Sequence, residues 1–225
     1  MNIFENLTQV RDKIAKSASL CNRNPDTIKL IVVSKTQPLV KVFAAYEAGV
    51  RDFGENTAQG LQEKAQAFAE RGLSARWHFI GRLQTNKINI VLRYAHMIHS
   101  VDSIELAQAI AKRVTSQTAK ILIQVNIGKE AQKGGVEPEQ AVQLALNVSR
   151  INGLELVGLM GIPPYNVDPN PYFAHMSDLK KALISTPDGI KAIELSMGMT
   201  SDFTAAIQHG ATMVRVGTAI FGERT

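Results

Sequence analysis

Ile28-Lys29-Leu30-Ile31-Val32-Val33-Ser34-Lys35 is a short apolar run bounded by polar residues, and it ends on an amine. A run of this length, rich in β-branched residues, reads as a buried strand over Lys29–Ser34. Taken alone, Lys35 has two readings. It is the first solvated residue after the strand, or it is a reactive group held at the edge of a core. The far end of the chain bears on the choice, because a hydroxyl- and glycine-rich stretch there is followed by a strand that carries an arginine.

Outward from this run, apolar strand-like segments alternate with helical patterns. The strands are read as Lys29–Ser34, Val50–Phe53, Arg76–Ile80, His96–Val101, Lys120–Asn126, Leu154–Met160, Ala192–Leu195 and Met213–Val216. Helical spacing falls over Leu39–Ala48, Ala58–Arg71, Ile104–Thr115, Glu139–Ser149, Pro171–Ile184 and Asp202–His209. An amphipathic helix precedes them all, with Leu7, Val10, Ile14, Ala18 and Cys21 at spacings of three and four. Strands alternating with helices give βαβ units and a parallel sheet. Eight units after one extra helix predict an α/β chain folded as a single (β/α)8 TIM-like barrel with an extra N-terminal helix. An open doubly wound sheet is the alternative, but no glycine-rich nucleotide fingerprint stands at any strand-to-helix junction. The proline-rich stretch Gly161–Pro171 lies inside the repeating pattern, so residues 1–225 are read as one domain.

Bulk composition narrows the function classes. The 225 residues are 45% apolar and 20% charged, values of a globular chain with a full core. Cys21 is the only cysteine and cannot form an internal disulfide, which points to a reducing compartment, the cytoplasm. No stretch is long and apolar enough to span a bilayer, and no signal peptide is visible at the N-terminus. The net charge is +5, but lysines and arginines are dispersed and aromatics make up only 6%. Without basic–aromatic interleaving, anionic small molecules are better partners than nucleic acid.

In a barrel, chemistry sits where strands run out into helices. Those exits carry Lys35, Asn56, Gly81-Arg82, Asp102-Ser103, Asn126, Ser196-Met197-Gly198-Met199-Thr200 and Arg215-Val216-Gly217-Thr218, with His78 close to the third. Barrels often bind phosphate with the loops after strands seven and eight. Thr200 and Thr218 supply hydroxyls, and Gly198 and Gly217 allow close backbone approach. For Thr200, Ser201 or Asp202 taken singly a helix N-cap is the better explanation of the residue type, and the coincidence of two such loops at adjacent strands tilts the pair towards a ligand. Arg215, flanked by outward-facing valines, must find acceptors inside the barrel. His78 is either a ligand contact or a hydrogen-bonded core residue, and His96 with His99 lacks the further ligands of a metal site. A lysine attacks an aldehyde only as the neutral amine, which burial at a barrel mouth beside Arg215 favours. An amine, a phosphate cradle and an arginine together fit an aldehyde-bearing phosphate ester, of which pyridoxal 5′-phosphate (PLP) uses all three.

Several long motifs carry a family resemblance. They are Ile31–Thr36, Phe53-Gly54-Glu55-Asn56, Trp77–Lys87, Glu194–Thr200 and Met213–Gly222. Together they resemble the pyridoxal phosphate homeostasis proteins, relatives of the N-terminal domain of alanine racemase. The resemblance implies one barrel holding PLP as an aldimine on Lys35. It further implies phosphate contacts at Thr200, Gly217 and Thr218, Arg215 facing the pyridine nitrogen, Asn56 near the ring, and Ser196 and Met199 lining the pocket. His78 is a weaker carry-over. Three positions depart from the family pattern: Thr57 for the usual tyrosine, Thr200 for serine, and Gly161 for alanine, the last expected to leave the cofactor unaffected.

Two functions from different classes follow. One is a PLP-dependent racemase or related enzyme. The other, favoured here, is a non-catalytic protein that buffers or delivers PLP to PLP-dependent apo-enzymes and so affects amino-acid and keto-acid balance. An arginine at the pyridine nitrogen leaves the ring a poor electron sink, and no second β domain is visible to supply an opposing base. A monomer suffices for the carrier. Lys133 is read as a solvated loop lysine, with transient cofactor capture as its alternative. A third class, a regulatory interaction module on the barrel surface, is the weakest.

Overall fold

A computed structural model describes residues 2–115, 117–130 and 132–222. Its eight strands are β1 Lys29–Val33, β2 Asp52–Glu55, β3 Arg76–Phe79, β4 Met97–Val101, β5 Ala119–Val125, β6 Leu154–Gly161, β7 Glu194–Ser196 and β8 Met213–Val216. They follow one another round a closed barrel in chain order, every neighbouring pair parallel, with β1 joined to both β2 and β8. The helices are α1 Ile3–Leu20, α2 Leu39–Glu47, α3 Ala58–Glu70, α4 Ile88–Tyr94, α5 Ile104–Ala111, α6 Pro138–Ser149, α7 Asn170–Ile184, α8 Phe203–Gln208 and α9 Thr218–Phe221. The (β/α)8 expectation holds.

Alternation along the strands makes two apolar layers. Ile31, Met97, Leu122, Val157, Met160 and Met213 form a small cluster of their own, with Ile162 against it. Strand register puts Ile31 opposite Arg215, Val33 opposite Gly54, and Gly54 opposite His78, so these residues share the inward face. The outer layer, between strands and helices, is far larger. Phe53, Phe68, Leu61, Ile110 and Phe173 are among its fully buried members. Each such side chain contributes about 1.5–3 kcal/mol on leaving water.

The extra helix has a definite place. Leu7, Val10, Ile14 and Ala18 are its buried stripe, and the Asn2 side chain accepts from the Phe4 and Glu5 amides at its start. It packs on α2, α8 and α9, while Asn6 Nδ2 donates to the Ile220 carbonyl at 2.9 Å. In this way α1 covers the segment where the last strand meets the first.

Some boundaries differ from the sequence reading. β1 stops at Val33 because Ser34 turns its side chain to Glu55, and β7 runs from Glu194 to Ser196 rather than from Ala192. α5 ends at Ala111, four residues before the expected Thr115. Two helices, α4 and α9, were not expected. The Ile88, Ile90 and Val91 of α4 favour a strand locally, and burial of Ile88 and Val91 on one face overrides that preference.

Candidate functional site

Lys35 stands at the C-terminal rim, two residues beyond Val33 and so next in the inward alternation of β1. Its approach is pinned from outside the barrel. The Ser34 amide donates to the Gly54 carbonyl at 3.0 Å, and the Ser34 hydroxyl donates to Glu55 Oε1 at 2.7 Å. Glu55 is in turn paired with Lys64 Nζ at 2.7 Å, both side chains nearly inaccessible. Thr36 then takes a left-handed backbone, φ 62°, an unfavourable conformation for a β-branched residue, and bonds the Lys35 carbonyl at 2.6 Å. The Lys35 side chain is left half-buried at the mouth.

Arg215, on the inward face of β8, is buried. Its Nη1 donates to Ser196 Oγ at 2.6 Å and its Nη2 to the Gly161 carbonyl at 3.1 Å. It has no ion-pair partner among the described residues. Burial pulls the guanidinium down to about 10, partly offset by the Asp202 carboxylate, and at neutral pH it stays charged. Gly161 therefore matters to the arginine through its carbonyl. A β-carbon there would meet Met176 Sδ at 2.8 Å, so the departure from alanine suits this packing.

The loops after β7 and β8 come together as expected, because the two strands are neighbours. Thr218 Oγ1 lies 3.2 Å from Thr200 Oγ1. Gly198 has φ 91°, and an added β-carbon would lie 2.6 Å from that of Ala206. Gly217 passes close under β1, where a β-carbon would press on the Val33 carbonyl at 3.2 Å. In the four-residue α9 the Ile220 and Phe221 amides donate to the Gly217 carbonyl at 2.9 and 3.0 Å, and the two opening amides, of Thr218 and Ala219, have no backbone acceptor among the described residues. Asp202 occupies the N-cap position of α8 without capping it; its carboxylate accepts from the Met199 amide at 2.6 Å.

Other expected residues divide. Asn56 is exposed just past β2, and Gly81 is required beside it because a β-carbon would collide with the Asn56 carbonyl at 1.9 Å. Met199 is half-buried on the β7 loop. His78 lies below the mouth, with both ring nitrogens engaged, at 2.9 Å from His99 Nε2 and 2.9 Å from Asp52 Oδ1. It has no nitrogen left for a ligand. Lys133 is not simply solvated: it pairs with Glu130 at 2.5 Å and donates to the Pro163 carbonyl at 3.2 Å. Ala131, in the same loop, lies outside the described residues. Thr57 caps α3 by accepting from the Gly60 amide at 3.1 Å.

Asp52 and Lys64 were not singled out from the sequence, Glu55 entered only as part of the Phe53–Asn56 motif, and His99 only as a metal-ligand candidate that was set aside. The only signal for His99 is its place two residues after Met97 in a strand, which sets both on one face. A cavity of about 870 Å³ opens on the opposite side of the barrel, beside Arg93, His96, Arg113 and Lys120. It shares no residue with the rim just described. Converging polar groups rather than volume mark the site.

Comparison with known proteins gives the family of the chain. Residues 6–225 match the family described as alanine racemase, N-terminal domain. The chain is 38% identical over 233 residues to the pyridoxal phosphate homeostasis protein of Haemophilus influenzae, covering 100% of this chain and 97% of that one. Against the protein of that name from Aquifex aeolicus the identity is 39% over 229 residues, covering 100% and 99%. Among solved structures, PipY of Synechococcus elongatus with PLP bound is 32% identical with a TM-score of 0.81, covering 93% of this chain and 100% of that one. An alanine racemase from Clostridium difficile shares the fold at 18% identity and a TM-score of 0.74, over 99% of this chain and 57% of its own. With the family match spanning nearly the whole length, and with these full-length relatives, the chain belongs to the pyridoxal phosphate homeostasis proteins, built on the barrel of the alanine racemase N-terminal domain.

Proposed function

We propose that this protein binds PLP at the C-terminal rim and holds it in the cytoplasm for delivery to PLP-dependent apo-enzymes, without turning over a substrate of its own. The observation that carries the reading is the meeting at one rim of Lys35, Arg215 and the paired hydroxyls of Thr200 and Thr218. The residues fit the group. A guanidinium has five N–H donors, and Arg215 places two of them on protein acceptors, leaving donors for a ring nitrogen. Thr200, Thr218 and the opening amides of α9 suit a phosphate, while Gly217 keeps the wall clear of a side chain. Lys35 Nζ is the amine positioned to join the aldehyde carbon as an imine, with release of one water.

PLP supplies an electrophilic aldehyde and a ring able to accept electrons. Arg215 limits the second property. A guanidinium facing the ring nitrogen donates a hydrogen bond but does not give up its proton. That favours storage over carbanion chemistry, and through storage an influence on amino-acid and keto-acid balance. The PLP-bound PipY relative supports the same reading.

The test is an absorbance spectrum of purified protein incubated with PLP, followed by borohydride reduction and peptide mass spectrometry. A visible band and a pyridoxyl adduct on Lys35 are expected, and Lys35→Ala should lose both. An adduct found only on other lysines would refute the site. Sustained alanine racemisation by the purified protein would favour the enzyme reading.

A further inference from the structure

An unbroken line of polar groups crosses the inside of the barrel beneath the rim. Arg215 Nη1 meets Ser196 Oγ at 2.6 Å, and Ser196 Oγ meets His99 Nδ1 at 3.0 Å. His99 Nε2 meets His78 Nδ1 at 2.9 Å, and His78 Nε2 meets Asp52 Oδ1 at 2.9 Å. At the far end Arg76 grips the same carboxylate with Nε at 2.8 Å and Nη2 at 2.6 Å. Asp52 begins β2, so the line descends from the C-terminal rim to the N-terminal face of the barrel.

The two ends constrain the groups between them. A guanidinium only donates, and an ionised carboxylate only accepts. A neutral imidazole has one donor and one acceptor, and the Ser196 hydroxyl has no other acceptor among the described residues, so each intermediate accepts on its Arg215 side and donates on its Asp52 side. The Ser196 proton points to His99 Nδ1, His99 carries its proton on Nε2, and His78 carries its proton on Nε2. With both rings neutral every group is satisfied, whereas a cationic His78 with His99 as the Nδ1–H tautomer would leave the Ser196 proton without an acceptor among the described residues and place a charge inside the barrel. Burial acts in the same sense, pushing His99 and His78 below the usual histidine range.

We propose that Asp52 serves as the remote counter-charge of Arg215, and that Ser196, His99 and His78 are positioning residues that carry its polarity to the guanidinium. Hydrogen bonds aligned in one direction polarise one another, so the Ser196 oxygen becomes a stronger acceptor for Arg215. Asp202 attracts Arg215 from the β7 loop but shares no hydrogen bond with it among the described residues. The orientation of the line stands without any ligand. Its effect on ligand affinity rests on the PLP reading.

Nitrogen-15 NMR of the histidine side chains in the full-length, ligand-free protein at neutral pH tests the orientation directly. Both His78 and His99 should be neutral with the proton on Nε2. Either ring found as the Nδ1–H tautomer or as an imidazolium overturns the proposal. The effect on Arg215 is read by PLP titration followed by absorbance. Ser196→Ala and Asp52→Asn should each weaken PLP binding about tenfold, the scale on which outer partners of a binding group act. Ser196→Thr, which restores the hydroxyl, should recover most of that loss. A requirement for packing alone would not distinguish the two Ser196 variants in this way. Unchanged affinity in both Ser196→Ala and Asp52→Asn would overturn the counter-charge role. Should the unmodified protein take up no PLP, the cofactor reading fails, and the ring protons alone decide the orientation.

Discussion

Gly198 and Lys64 show how single residues hold the rim in place. Gly198 sits at φ 91° with Phe203 Cα only 2.9 Å from where a β-carbon would be. Gly198→Ala is expected to cost about 1–3 kcal/mol through backbone strain and to displace Thr200. A chemical denaturation midpoint equal to that of the parent would mean the β7 loop repacks freely. Lys64 matters for a different reason. It is the partner of Glu55, whose carboxylate also receives the Ser34 hydroxyl next to Lys35. Lys64→Met leaves that carboxylate buried without its cation, a loss of about 3–5 kcal/mol. Replacing both members, Lys64→Met with Glu55→Leu, should recover much of the loss, since a paired apolar substitution removes the stranded charge. A double variant no better than the single one would show that the pair orders the β1 exit beyond its own desolvation.

Among the elements, α3 and its aromatic contacts account for most of the support behind β2 and β3. Phe68 on α3 stacks with Phe43 of α2 at 4.9 Å between centroids and meets Trp77 of β3 edge-on at 5.2 Å and Phe53 of β2 at 5.7 Å. Phe68→Ala should lower unfolding free energy by about 3–5 kcal/mol. Because none of these rings reaches the rim, PLP affinity in the folded fraction should stay near that of the parent. A large affinity loss at full folding would mean that α3 position, not only α3 stability, sets the site. This layer was legible in the sequence, since helical spacing and apolar strands are local patterns. So were Lys35, Arg215 and the glycine–threonine loops, which sit at strand exits. α4 was not, because its β-branched residues mimic a strand. The line from Asp52 to Arg215 was hidden for a deeper reason. Its bonds join residues far apart in the chain, 97 positions apart for His99 and Ser196. No short-range periodicity can encode such a pairing.

At the scale of the whole molecule, a barrel interior that buries neutral histidines makes stability depend on pH. His99 and His78 are held below their ordinary range, in both cases chiefly by burial. For His99 the positive charge of Arg215 and Lys29 adds to this, and for His78 that of Lys29 and Arg76, against the pull of Asp52. His96 also faces His78, with 5.8 Å between ring centroids. In the unfolded chain each imidazole titrates near about 6.5. Above that value neither state binds the proton and the full stability is present. Below it the unfolded chain takes up protons that the folded one refuses, so stability falls as pH drops. Each ring contributes up to about 1.4 kcal/mol per pH unit. Asp52 adds a second, more acidic stage. Burial alone would raise its carboxyl, but the hydrogen bonds from Arg76 and His78 overcome this and hold it well below the usual range. Its contribution is present above the unfolded value of about 3.9 and fades only as pH falls further. Denaturation midpoints measured between about pH 5 and about pH 8 should therefore be flat in the upper half and fall steadily in the lower half. His96, held down at about 4 chiefly by burial, is a third such ring, so His99→Gln, which keeps a donor and an acceptor but cannot titrate, should show a slope in the lower half about two-thirds that of the parent. A parent protein equally stable across the whole interval would mean that these rings are already charged inside the barrel, contrary to the hydrogen-bond order proposed for them.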